Sequence, residues 1–143
     1  EPYEAKSNLA AIRRLDLEDS EGKPCPDGEV GIEIQLADGR TDVLLSKDIE
    51  GQASSSSRLC VEKGSDTRFD GELCLIRRNA ARELEQVLFC RGRSLRVGDV
   101  SVRTKDDQSS FEIDLKQPNA PIVSGSADSV ELIEIAGTRL WPK

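Results

Sequence analysis

The chain contains no histidine. That absence removes the usual general base near neutral pH, the partner of serine and cysteine nucleophiles, and the commonest zinc ligand. Methionine is absent as well, and aromatic residues make up only 3% of the 143 positions, too few to line a surface with the flat rings that stack on sugars. No Gly-rich phosphate loop, Walker pattern or nucleophile elbow occurs, and no CxxC pair. No apolar run approaches the roughly 20 residues that cross a bilayer as a helix. A basic excess is missing too, since 20 Lys and Arg stand against 27 Asp and Glu for a net charge of -7. A nucleic-acid binder would show a basic footprint, so that partner class is not expected.

What remains points to a chain without catalytic machinery or cofactor. It opens Glu1-Pro2-Tyr3 with no basic leader and no apolar core of a signal sequence, so the expectation is one domain, residues 1–143, excised from a larger protein. Cys25, Cys60, Cys74 and Cys90 are even in number, which leans toward a secreted or periplasmic setting without fixing one, and allows three disulfide pairings. Cys74 and Cys90 sit in apolar runs, where a thiol packs as a small hydrophobe.

Apolar residues recur in short alternating runs parted by Gly, Asp, Asn, Ser and Pro, which is how successive antiparallel hairpins read. Val30, Ile32, Ile34 and Leu36 alternate with Glu33 and Gln35, and Asp38-Gly39 then turns the chain into Thr41–Ser46. Asn8–Leu17 fits either period and reads as a strand. Asp70-Gly71 and Gly92 read as turns that open and close neighbouring strands; Phe111–Leu115 and Ser129–Ile135 alternate cleanly. The number and spacing of the runs predict an all-β fold, an antiparallel β-sandwich built from successive hairpins. Phe89 and Phe111 belong to its expected core, Phe69 to a turn.

Three constellations carry chemistry. The acidic stretch Asp16, Glu18, Asp19 and Glu21 offers oxygen ligands but lacks the order of a calcium loop, and reads as solvated charge. Glu112 and Asp114 share a strand face, the minimum for a two-carboxylate glycosidase, as any alternating acidic strand would. Arginines at 77, 78, 82, 91, 93, 96 and 103 fall on consecutive strands, so Arg77, Arg91, Arg93 and Arg103 are candidates for a surface that grips carboxylates or sulfates through planar guanidinium groups. The competing expectation is that they pair with Glu72, Glu83 and Glu85 across strands. Trp141, together with Tyr3, is the aromatic left over for ligand stacking.

The stretches Gly71-Glu-Leu-Cys-Leu-Ile-Arg-Arg78, Leu84-Glu-Gln-Val-Leu-Phe-Cys-Arg-Gly-Arg-Ser-Leu-Arg-Val-Gly98, Ser110-Phe-Glu-Ile-Asp-Leu115 and Val130-Glu-Leu-Ile-Glu-Ile-Ala-Gly137 resemble the C-terminal β-sheet domain of heparinase II/III-like polysaccharide lyases. The resemblance covers about half of the chain and is one of texture, without a diagnostic motif. It carries no catalytic residue over, because the family's catalytic His and Tyr have no counterpart in this stretch. It implies a non-catalytic accessory domain that supports a parent catalytic domain and lends arginines to an anionic polysaccharide. The rival expectation is an Ig-like protein-interaction or adhesion module, which requires an exposed apolar patch or an open edge strand.

Overall fold

The computed structural model describes residues 9–18, 29–47, 59–62, 67–106, 109–117 and 119–141. The polar loop expected at 18–28, the serine run and Cys25 lie wholly or almost wholly outside these residues. The described chain is all-β and antiparallel, with no α-helix and a single 3-10 turn at Ala127–Ser129.

Twelve strands share one network of ladders: β1 Leu9–Arg14, β2 Leu17–Glu18, β3 Glu29–Leu36, β4 Thr41–Lys47, β5 Leu59–Glu62, β6 Arg68–Arg78, β7 Leu84–Val97, β8 Val100–Thr104, β9 Ser110–Asp114, β10 Ile122–Gly125, β11 Val130–Ile135 and β12 Thr138–Trp141. The ladder register divides this network into two sheets that share the long hairpin β6–β7. The first sheet runs β1-β3-β4, then Leu73–Arg78 of β6, Leu84–Cys90 of β7, then β9-β10. The second runs β2-β5, then Arg68–Asp70 of β6, Ser94–Val97 of β7, then β8-β11-β12.

The crossing point is Gly71 opposite Gly92. These residues are not turns, as the sequence suggests, but kinks inside continuous strands of 11 and 14 residues. The reason is packing. A Cβ on Gly71 would stand 2.5 Å from Gly92 Cα, and one on Gly92 would stand 2.5 Å from Phe89 Cζ. Only glycine lets the two backbones approach under the aromatic rings, and the register slips by one residue at Arg93 as β7 passes from one sheet to the other. Strands that bend through glycines and bulges in this way make the corners of a sandwich.

The core lies between the two sheets. Phe69, Cys74, Ile76, Val87, Phe89, Ile113 and Ile133 are completely buried, with Leu45, Leu95, Val102 and Phe111 nearly so. Phe69 is therefore core and not turn: it stands edge-on to Phe89 at a centroid distance of 5.4 Å, and Phe89 stacks on Phe111 at 4.9 Å. Cys74 faces this core while Cys90 is half-buried, and both are thiols. Because Leu73 lies opposite Cys90 and Cys74 opposite Phe89, the two thiols project to opposite faces.

The hairpin expected around Asp38-Gly39 is present, with Gly39 at φ +92 and the Asp38 carboxylate accepting from the Arg40 amide at 3.0 Å. The side of β3 that meets the core is not its apolar one. Its partners Val43 and Leu45 are buried and stand opposite Glu33 and Gly31, whereas Ile32 and Ile34 stand opposite Leu44 and Asp42. Leu15 and Leu17 fill the space above Gly31, 3.1 Å from where a Cβ would be, so the glycine side of β3 meets the core. The apolar side of β3 lies on the outer face of the first sheet, half-buried, in a row with Leu44, Leu75 and Leu88.

Candidate functional site

The two outer faces differ in character. On the second sheet, side chains that alternate with buried Phe69, Leu95, Val97 and Val102 point away from the core. Arg68, Arg96, Ser101, Glu134 and Arg139 stand opposite one another in a single cross-strand row. The next row holds Asp70, Ser94, Arg103 and Leu132. All four arginines are exposed, so a chain of net negative charge carries a locally cationic face.

Beside that face the bulge at Arg93 opens a groove of about 460 Å³ lined by Arg93, Ser94, Arg103, Thr104, Lys105 and Asp106. Thr104 ties its floor together. Its Oγ1 lies 2.7 Å from the Gly92 carbonyl oxygen and 2.6 Å from that of Asp106, and its one hydroxyl proton can serve either acceptor. Lys105 donates its amide to the Ser129 carbonyl at 2.8 Å. Arg103 Nε meets Glu131 at 3.2 Å, with both side chains about half exposed; an exposed pair of this kind holds a side chain in place at little energetic gain. Arg93, Arg103 and Lys105 line the groove against Asp106, with Glu131 paired to Arg103 beside it, so cations still outnumber carboxylates there by three to two and the groove suits an anion. A larger recess of about 500 Å³ opens elsewhere, over Leu84, Val97, Val100, Leu115 and Ile135. Its rim balances Arg78, Arg82 and Lys116 against Glu83, Glu85 and Asp99, so charge gives it no preference for either sign.

Of the arginines singled out in the sequence, Arg93 and Arg103 meet in the groove. Arg77 does not join them, because β6 crosses between sheets and leaves it on the outer face of the first. There it grips Asp42 directly across from it, Nε to Oδ1 at 2.8 Å and Nη2 to Oδ2 at 3.0 Å. These bonds hold the guanidinium proton more firmly than usual, raising its pKa despite some burial. A raised pKa contributes stability that is present below the unfolded value and is lost only as pH climbs past the guanidinium range. Asp42→Ala should cost about 1 kcal/mol in urea unfolding, its 8% exposure favouring the pair and the one-third exposure of the Arg77 side chain weakening it. Arg91→Ala should cost almost nothing by the same measurement. Its side chain is 60% exposed and reaches Glu72 only at 3.7 Å.

Trp141 stands opposite Ile133, is half-buried against the core and donates its indole N–H to the Val130 carbonyl at 3.3 Å. Its indole is thus engaged with the fold. Glu112 and Asp114 are likewise engaged: Glu112 accepts from the Gln86 amide and Asp114 from the Lys116 backbone. Among the described residues no group of three or more His, Cys, Asp or Glu could hold a metal ion, and no helix is long and apolar enough to cross a membrane. Arg68, Arg139 and Lys105 were not singled out from the sequence. For Arg68 the signal was the alternation Thr67-Arg-Phe, hidden because Asp70-Gly71 looked like the start of a strand; Arg139 and Lys105 carry no such signal in the sequence. Comparison of the chain with known protein families, with characterised proteins and with solved structures finds no match.

Proposed function

We propose that this chain is a non-catalytic accessory domain of a carbohydrate-active enzyme that contacts an anionic glycan through the outer face of its second sheet. The observation that carries the reading is the groove at Arg93, Arg103 and Lys105, continuous with Arg68, Arg96 and Arg139 on a chain of net charge -7. Guanidinium groups offer paired N–H donors to carboxylates and sulfates, and an open sheet face suits an extended polymer better than a small enclosed molecule. The structural-support role draws on the opposite face, where the row Ile32, Leu44, Leu75 and Leu88 offers the apolar surface an accessory domain turns toward a neighbour. The rival reading, an Ig-like interaction module, draws on the exposed edge strand β1.

Calorimetric titration with polyuronate and sulfated oligosaccharides, with a neutral glycan alongside, tests the glycan reading. Binding should be confined to the anionic ligands and should weaken as salt shortens the screening length toward ~3 Å near 1 M. Arg93→Ala combined with Arg103→Ala should lower the affinity by about tenfold or more, each charge-assisted contact being worth roughly 1 kcal/mol or above. Equal binding of the neutral glycan, or binding indifferent to salt, would reject it.

A further inference from the structure

The first sheet ends on β1, whose partner among the described strands is β3 alone. An edge strand presents a row of unpaired backbone N–H and C=O groups, and proteins ordinarily blunt it with proline, lysine, bulges or brevity. Among the described strands the other free edges are blunted. β2 has two residues, and β12 has four. β10 also has four, entered through Pro121 and left through Gly125 at φ +96. β1 is the exception: six residues, Leu-Ala-Ala-Ile-Arg-Arg, all exposed, with no proline, glycine or acidic residue. Its only irregularity is a register shift between Leu9 and Ala11, which leaves Ile12, Arg13 and Arg14 in regular pairing with Ile34, Glu33 and Ile32.

The side chains say what would fit there. Ile12 is 61% exposed and stands beside Ile34, at the margin of the apolar outer face. Arg13 and Arg14 give the edge two positive charges, of which Arg13 is held at 3.2 Å by Glu33 with its own side chain 65% exposed. We propose that β1 is a strand-addition site for an extended protein segment with two consecutive acidic residues followed by an apolar one. Added antiparallel, such a segment sets its carboxylates across from Arg14 and Arg13 and its apolar side chain across from Ile12, where cross-strand neighbours interact. The charge of the edge selects the occupant. A second copy would place another Leu-Ala-Ala-Ile-Arg-Arg against this one with no carboxylate to meet either arginine, on a molecule whose net charge of -7 already repels its like. This site lies on the sheet opposite the cationic face and does not depend on glycan binding.

The test uses the whole chain and two short labelled peptides, one carrying Glu-Glu-Ile and one Lys-Lys-Ile in the same frame. Fluorescence anisotropy gives the affinities and amide hydrogen exchange the location. The acidic peptide should bind about tenfold more tightly than the basic one, two cross-strand charge pairs changing sign between them. It should slow exchange at Ile12, Arg13 and Arg14. Arg14→Glu, an exposed change that leaves the ladder intact, should narrow or reverse that preference. Equal affinity for both peptides, no binding of either, or protection elsewhere would overturn the proposal. Protection of β1 that rises with protein concentration in the absence of peptide would overturn it in favour of a second copy.

Discussion

Gly71→Ala should destabilise the domain by about 3 kcal/mol or more, the upper end of what overpacking a core costs. The added methyl would sit 2.5 Å from Gly92 Cα and 2.7 Å from Phe69 Cζ, and the first of these is backbone that cannot rotate away. Gly98→Ala provides the contrast. That residue closes the β7–β8 hairpin at φ +57 with open space around it, so its cost is conformational alone, about 1 kcal/mol. Urea unfolding of both variants separates the two mechanisms. Near-equal losses would mean that the β6–β7 crossing accommodates side chains and is not the constraint that bends the sandwich.

Phe89→Ala should cost about 3–5 kcal/mol, in the range for deleting a buried phenylalanine. The ring is fully buried, touches both other phenylalanines and covers the Gly92 kink, so its removal empties the junction of the two sheets. The geometry makes a further demand. The two closest atoms to a Cβ on Gly92 are Phe89 Cζ at 2.5 Å and Cε1 at 2.6 Å, so Gly92→Ala should be much less costly in the Phe89→Ala background than in the native chain. Additive losses, measured by thermal or urea unfolding of the four variants of the cycle, would contradict this account of the kink.

The sequence made some of this legible and hid the rest for identifiable reasons. The hairpin over 29–47 could be read because Asp38-Gly39 is a local signal flanked by two alternating strands, and Phe111–Leu115 because every second residue is buried. Gly71 and Gly92 were misread because glycine marks a turn and a kink alike, and only the facing strand distinguishes them. The orientation of β3 is not legible because alternation shows that two faces differ without showing which one meets the core. That choice is made at long range, by Leu15 and Leu17 lying over Gly31. The arginines illustrate the same limit. Positions 77, 91, 93 and 103 lie on the neighbouring strands β6, β7 and β8, but the β6–β7 hairpin runs through both sheets, so Arg93 and Arg103 converge at one end while Arg77 pairs with Asp42 at the other and Arg91 sits at the bend, at φ +48. Arg68 and Arg139, more than 70 residues apart in the sequence, reach the same row only through four ladders.

The charge on the second sheet can be read directly by following the arginine Nε–H resonances while a short polyuronate is added. The account predicts shifts at Arg93 and Arg103, with smaller ones at Arg96 and Arg68, and an unmoved Arg77 held by Asp42. Shifts spread evenly over all arginines, or centred on Arg77 or on the Trp141 indole, would contradict it.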